Sequence, residues 1–382
     1  MRGGTLAGGA GEQNALTMRV QLVDPSGDVT PYDHSLAAAL ARRGADVELV
    51  TSRFLYGPIP AERDYRVTEA FYRLATRGSH SRRVRRALKL AEHGPDMLRY
   101  RRRARHADVR HWQWLPVEPL DLLLLPPARP RVLTMHNVLR RENQRLTRRL
   151  AERMDAVVVH TRGGARELER LGVDAGRVRV IPHGAFEHLT RQPEEAPLPP
   201  ELAGVEGPVI LYFGTVRPYK GVEVLLEAFR EVEGELWIVG NPLGMDMEPL
   251  HALAAAARGT VRFVTRYVTE PEAPAFFRRA DVLVLPHRRV DQSGVLFMGL
   301  AFGKAMVLSD VGGFSEVAHD HGAGRLVPPE DPGALAGALR ELLADPGERA
   351  ALEQRAAAAA AGPFSWDAIA GQTLELYQEL GA

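Results

Sequence analysis

The chain has 382 residues, enough for two or three domains at roughly 100–200 residues each. Its 45% hydrophobic and 25% charged content matches an ordinary soluble globular protein. The absence of cysteine excludes disulfide frameworks, cysteine-ligated zinc, iron–sulfur clusters and thiol nucleophiles, and no apolar run approaches the ~18–20 residues that span a bilayer.

The net charge is only +1, but the basic residues are unevenly spread. Arg82, Arg83, Arg85, Arg86 and Lys89 belong to a basic stretch running from Arg73 to Arg105, and Arg140, Arg141, Arg145, Arg148 and Arg149 form a second cluster. Lys89, Lys220 and Lys304 are the only lysines. In a chain so biased toward arginine, a retained lysine carries some information.

Residues 1–17 lack an apolar signal-peptide core and read as a disordered leader. Met18–Asp24 reads as a buried strand, Tyr32–Arg43 as a helix closed by Gly44, and Val47–Thr51 as the next strand. That is a βαβ unit of a parallel sheet. Residues 72–105 have helical spacing and read as a basic insertion. Strands follow at Val132–His136, Ala156–His160 and Val178–Pro182, separated by helices over Arg141–Arg153 and Gly163–Leu171. The proline- and glutamate-rich segment 191–207 reads as a linker. The alternation then restarts, with strands at Val209–Phe213, Leu236–Val239, Val261–Val264, Val282–Pro286 and Ala305–Ser309. The Gly362-Pro363 break precedes a last helix from about Trp366 to Leu380. The fold class is therefore α/β, with two doubly wound, Rossmann-like parallel-sheet domains in series at 18–190 and 208–362, and a tail at 363–382.

The strongest local motif is Phe213-Gly214-Thr215-Val216-Arg217-Pro218-Tyr219-Lys220-Gly221, between a strand and a helix. In open α/β sheets, ligands bind beyond the C-terminal ends of the strands. Two cations three residues apart, flanked by glycines that permit close backbone approach, suit a diphosphate; a solvated turn is the plain alternative. Asp291-Gln292-Ser293-Gly294-Val295 follows another strand and opens a helix whose free amides could face an anion, although Ser293 by itself reads more readily as a simple N-cap. Asp28–His34 reads as a polar loop after the first strand. His136, His160 and His183 each stand at a strand end, and His136 ranks first among them.

These motifs, spread in order over almost the whole chain from Met18, resemble the large retaining GT-B glycosyltransferase class called group 1 or family 4. FGTVRPYKG and ADVLVLPHRRVDQSGVLFMGLAFGKAMVLSDVGGFSE carry most of the likeness, with PYDHSLAAALARRGADVELVT, HWQWLP, TMHN, IPHG and FSW adding to it. The branch with a Gln-Ser-Gly-Val donor segment is the nearest. The resemblance implies a glycosyltransferase moving a sugar, with retention and without a metal, from a nucleoside-diphosphate sugar, by default UDP-linked. It implies an acceptor-side first domain, a donor-binding second domain facing it across a cleft, and a tail crossing back. His136, Arg217 and Lys220 would be catalytic. Gly214, Arg266, Tyr267, Val268, Ser293, Gly294 and Val295 would bind the donor. A loop at Thr30, Pro31, Tyr32 and Asp33 would close over the acceptor side.

One departure stands out. The class usually has two glutamates eight positions apart in the donor stretch, the second on the ribose. Aligning on Gly303 puts Val290 and Met298 there; aligning on Gly294 puts Asp291 and Gly299. Neither restores the pair, leaving Asp291 and Gln292 as local candidates. A non-catalytic nucleotide-binding or scaffold relative and a GT-B sugar-nucleotide epimerase are the alternatives. A nicotinamide dehydrogenase is excluded, because Asp24-Pro25-Ser26-Gly27 is no Gly-x-Gly-x-x-Gly. The protein is expected in the cytoplasm. The arginines at 82, 83, 85 and 86, beside Val84 and Leu88, suit an anionic membrane surface and a lipid-linked or other glycan acceptor. Nucleic acid is not expected as a partner, because the patch lacks aromatics and any accompanying motif.

Overall fold

A computed structural model describes residues 17–382 apart from 28, 56–62, 79–80, 140–142 and 193, with only the backbone described at 82. The expected leader up to residue 16, together with Asp28, Arg140 and Arg141, lies outside the described residues.

The first sheet contains β1 (Arg19–Asp24), β2 (Asp46–Ser52), β3 (Arg66–Phe71), β4 (Val109–Trp112), β5 (Arg131–Thr134), β6 (Ala156–Val159) and β7 (Val178–Val180). Their order is β3-β2-β1-β4-β5-β6-β7, all parallel. The second sheet contains β8 (Val209–Phe213), β9 (Glu235–Val239), β10 (Thr260–Val264), β11 (Val282–Leu285), β12 (Ala305–Ser309) and β13 (Arg325–Val327). Its order is β10-β9-β8-β11-β12-β13, again all parallel. Every residue of β8 and β11 is buried, as helices on both faces of a parallel sheet require. In each sheet the order reverses beside the first strand, between β1 and β4 and between β8 and β11. At such a reversal the neighbouring connections run to opposite sides and leave a crevice at the strand ends.

Three strands, β3, β4 and β13, have no clear signal in the sequence. Arg110 and His111 interrupt β4, yet both are buried. Arg110 donates to the carbonyls of Ala104 and Arg129, which satisfies a charge that would otherwise forbid burial.

The arginine-rich stretch is not an insertion. Its helix, Arg82–Arg103, is the crossover between β3 and β4, and Met97, Tyr100 and Ala104 pack into the core of the first domain. Thr30 to Asp33 is likewise not a loop. It opens the helix Thr30–Arg42, with Pro31 in the first turn, where proline's missing amide costs nothing. The linker packs against the second domain: Leu202 is buried, and Glu195 pairs with Arg278 at 2.6 Å.

The last helix, Trp366–Glu379, returns to the first domain and buries Trp366, Ile369 and Tyr377 in a core shared with Tyr32 and Leu36. There the Tyr377 hydroxyl lies 2.6 Å from His111 Nδ1, and His111 Nε2 lies 2.7 Å from Thr134 Oγ1. Burial holds His111 in its neutral form, with its pKa lowered to about 3. No helix among the described residues is long and apolar enough to cross a membrane. Tyr377→Phe strips a buried ring nitrogen of its partner and is expected to cost about 1–3 kcal/mol. A lower urea midpoint checks this; an unchanged one would show that His111 finds another partner.

Candidate active site

The second sheet's reversal holds a cavity of about 510 Å³. From the end of β8 come Phe213, Gly214, Thr215, Tyr219 and Lys220; from beyond β11 come His287, Val290 and the Gln292–Val295 run. Lys220 is 8% exposed. Its placement depends on glycine: a β-carbon on Gly214 would stand 3.2 Å from Lys220 Nζ and 3.2 Å from Val295 Cγ2. Gly221 takes φ +66° and closes against β11, where a β-carbon would meet the Pro286 carbonyl oxygen at 2.0 Å.

Opposite Lys220, the helix Gly294–Ala301 begins at the cavity wall. Ser293 does not act as the simple N-cap expected of it, since no side-chain hydrogen bond caps this helix. The first amides of a helix lack intrahelical acceptors and carry partial positive charge. A buried ammonium and a helix start facing one cavity make a site for an anion.

Of the other expected donor residues, Tyr267 and Val268 line the cavity, as does Pro31 from the first domain. Arg217 is half-buried and does not line it. Arg266 does not line it either; its guanidinium pairs with Glu272 at 2.7 Å. Thr30, Tyr32 and Asp33 are buried beneath the cleft, and Tyr32 packs edge-on to His136 with ring centres 4.9 Å apart.

Asp291 and Gln292, the local candidates for the ribose, are held by hydrogen bonds to the first domain. Asp291 Oδ2 accepts from the Leu139 amide at 3.0 Å, and Gln292 Nε2 donates to the His160 carbonyl at 3.4 Å. Both side chains tie the second domain to the first. Val290 and Met298 line the cavity, so the alignment on Gly303 is the one that reaches its wall. Apolar side chains stand there in place of the two carboxylates.

Two titratable lining residues escaped the sequence reading. His188 and Glu270 lie 3.9 Å apart, and burial lowers the first pKa and raises the second. They are 82 positions apart in the chain, so no local pattern could join them. His136 sits beside the main cavity, lining a small void with Asp291 and Gln292. Its Nδ1 lies 3.0 Å from His160 Nε2. Burial, then the neighbouring His160, His183 and His111, holds its pKa well below the ordinary histidine value. Among the described residues, no group of three His, Asp or Glu side chains could hold a metal ion.

A further anchor spans the cleft. Glu316, on the helix Gly312–His321, accepts from the Arg162 and Gly163 amides at 2.9 Å each, capping the helix Arg162–Arg170 of the other domain. Arg162 reaches Asp320 at 2.5 Å.

Two parallel-sheet domains facing one another, with an anion site at the second sheet's reversal, form the GT-B architecture of glycosyltransferases that use nucleotide sugars. The chain belongs to the group 1 and family 4 glycosyltransferases: residues 207–345 match the family model described as glycosyl transferases group 1, and residues 32–185 that of glycosyltransferase family 4. It is 30% identical over 295 residues to the D-inositol 3-phosphate glycosyltransferase of Xylanimonas cellulosilytica, covering 70% of this chain and 68% of that one. Among solved structures it is similar in fold to sucrose-phosphate synthase of Thermosynechococcus elongatus, with a TM-score of 0.75, 23% identity and 95% and 99% of the two chains covered. HepE of Anabaena, solved in complex with UDP-glucose, superposes with a TM-score of 0.70 at 18% identity, covering 95% of this chain and 100% of that one.

Removing the Glu316 cap leaves the cavity wall intact but frees two helix amides, worth about 0.5–2 kcal/mol for such a cap. Glu316→Ala is expected to loosen the domains and enlarge the radius of gyration in X-ray scattering. Scattering identical to the parent protein would show that the cap does not hold the cleft together.

Proposed function

We propose that this protein transfers a hexosyl group from a uridine diphosphate sugar to a hydroxyl acceptor, with retention and without a metal ion. The observation that carries the proposal is the buried ammonium of Lys220 at the mouth of β8, facing the start of the helix Gly294–Ala301 across one cavity. Breaking the sugar–diphosphate bond leaves negative charge on the departing oxygen. A preorganised cation and uncapped amides stabilise that charge as it develops. Arg217, immediately before the Pro218–Lys220 turn, adds its charge to the diphosphate once the donor is bound.

In the proposed step the acceptor oxygen attacks the anomeric carbon from the face the diphosphate leaves. Its proton passes to the departing phosphate oxygen, so the leaving group serves as the base. This suits a cavity wall carrying Val290 and Met298 where carboxylates stand in the class at large. Tyr267 and Val268 flank the nucleobase. Uridine is the usual base of the class and the one in the HepE complex.

A phosphate-bearing or lipid-linked acceptor fits the basic face of the first domain. Arg83 and Arg86 are exposed on the crossover helix beside exposed Val84 and Leu90, the pairing of charge and apolar surface that favours an anionic bilayer. Arg85 is not part of that face. It is half-buried, and Lys89 donates to the Ser26 carbonyl at 3.4 Å.

Nucleoside-diphosphate release should be measured over uridine, guanosine and thymidine sugars, with product anomers read by NMR. Lys220→Ala is expected to lower turnover about 100- to 1000-fold, the usual cost of one such donor. Full activity in that variant would remove Lys220 from the leaving-group site, and an inverted product would exclude front-face transfer. Separately, vesicles of anionic lipid are expected to sediment the parent protein more than an Arg83→Glu/Arg86→Glu variant. Equal sedimentation with neutral and anionic vesicles would exclude the membrane face.

A further inference from the structure

Among the described residues, Glu270 brings the one carboxylate that lines the donor cavity. Its side chain is 34% exposed, so it opens onto the cavity instead of lying behind the wall. His188 Nε2, on the opposite side, stands 3.9 Å away, too far for a hydrogen bond. Among the described residues the Glu270 carboxylate has no hydrogen-bond partner. The neighbouring acids are engaged elsewhere. Glu272 accepts from Arg266 at 2.7 Å and from the Thr269 amide at 2.8 Å, and Asp291 accepts from the Leu139 amide. The Pro271 carbonyl accepts from the Ala196 amide at 2.8 Å, which pins the loop that presents Glu270.

The sheet places this carboxylate relative to the anion site. Tyr267 to Glu270 follow the edge strand β10, Lys220 follows β8, and β9 lies between those strands. Neighbouring strands are about 4.8 Å apart, so the two ends of the cavity are separated by about 10 Å. A diphosphate held at Lys220 therefore sends its nucleoside toward Glu270. A carboxylate repels phosphate, and it only accepts hydrogen bonds. The nearby lining from Val268 and Met298 is apolar and offers a polar ligand nothing. The turn carrying His188 packs onto the helix Gly294–Ala301, where the Phe186 amide donates to the Phe297 carbonyl at 3.4 Å. Uracil presents a single N–H between two carbonyl oxygens, which a carboxylate would repel. Ribose presents two adjacent O–H groups, which match the two oxygens of one carboxylate.

We propose that Glu270 is the ribose-binding residue of the donor site, its carboxylate accepting from the vicinal 2′- and 3′-hydroxyls of the nucleotide. The inference rests on the nucleotide-sugar reading above. It also names a property of the donor: the nucleotide is a ribonucleotide, and donors built on deoxyribose bind poorly.

Calorimetric binding of UDP and 2′,3′-dideoxy-UDP to the full chain tests this without turnover. The parent protein is expected to bind UDP about tenfold or more tightly than the dideoxy form, as hydrogen bonds to a charged group allow. Glu270→Ala is expected to weaken UDP by the same factor and leave the dideoxy form unchanged, so that the preference disappears. Glu270→Gln keeps the shape and one acceptor oxygen. It is expected to retain part of the preference, and it carries the test if the alanine variant fails to fold. A parent protein without the preference, or the same preference in the parent and the variants, overturns the proposal.

GDP and 2′,3′-dideoxy-GDP separate ribose from base. A loss in Glu270→Ala that is confined to the guanine pair, and equal for its two forms, would place the carboxylate on the base and overturn the ribose assignment. UDP binding that Lys220→Ala weakens and Glu270→Ala does not would sink this proposal and leave the nucleotide-sugar reading standing. Binding of neither UDP nor GDP by the parent protein removes that reading, and the ribose assignment with it.

Discussion

The site depends on backbones that touch. A β-carbon on Gly240 would lie 1.9 Å from the Gly214 carbonyl oxygen, and one on Gly221 would lie 2.0 Å from that of Pro286. These contacts draw the ends of β8, β9 and β11 together, tighter than any side chain would permit. Lys220 is held in the resulting angle with its ammonium against Gly214, and a buried ammonium is costly unless it is paired. The anion site is thus made by the closeness of three strand ends, and its charge is supplied by one residue in the turn between them.

The two domains are joined by groups that would otherwise be unsatisfied. Helix-start amides of Arg162 and Gly163 find Glu316, the Leu139 amide finds Asp291, and the His160 carbonyl finds Gln292. The last helix adds an apolar clasp through Trp366, Ile369 and Tyr377. Directed contacts between backbone and side chain set the angle of the cleft, and burial on the far side keeps the halves from parting. The cleft therefore reports on the same residues that the donor would touch. Gln292 is both a tie between domains and part of the cavity wall.

Much of the architecture was legible because it is local. The apolar runs of β8, β11 and β12 stand out since both of their faces are covered. Short strands with charged residues did not, as Arg110 in β4 shows: its burial relies on carbonyls of Ala104 and Arg129, one of them 19 positions away in the chain. The crossover helix misled for the same reason. Its exposed arginines dominate the sequence, while Met97, Tyr100 and Ala104 carry its packing.

By itself the sequence determined the two-domain parallel-sheet plan, the glycine-bounded turn that presents Lys220, and the family to which the chain belongs, because strand burial and turn conformation follow from near neighbours. Tertiary structure decided which cation enters the cavity and that Asp291 serves the other domain instead of the cavity. Those outcomes turn on hydrogen-bond geometry between residues such as Leu139 and Asp291, 152 positions apart, and a preference of a few tenths of an ångström at such a distance leaves no trace in local pattern.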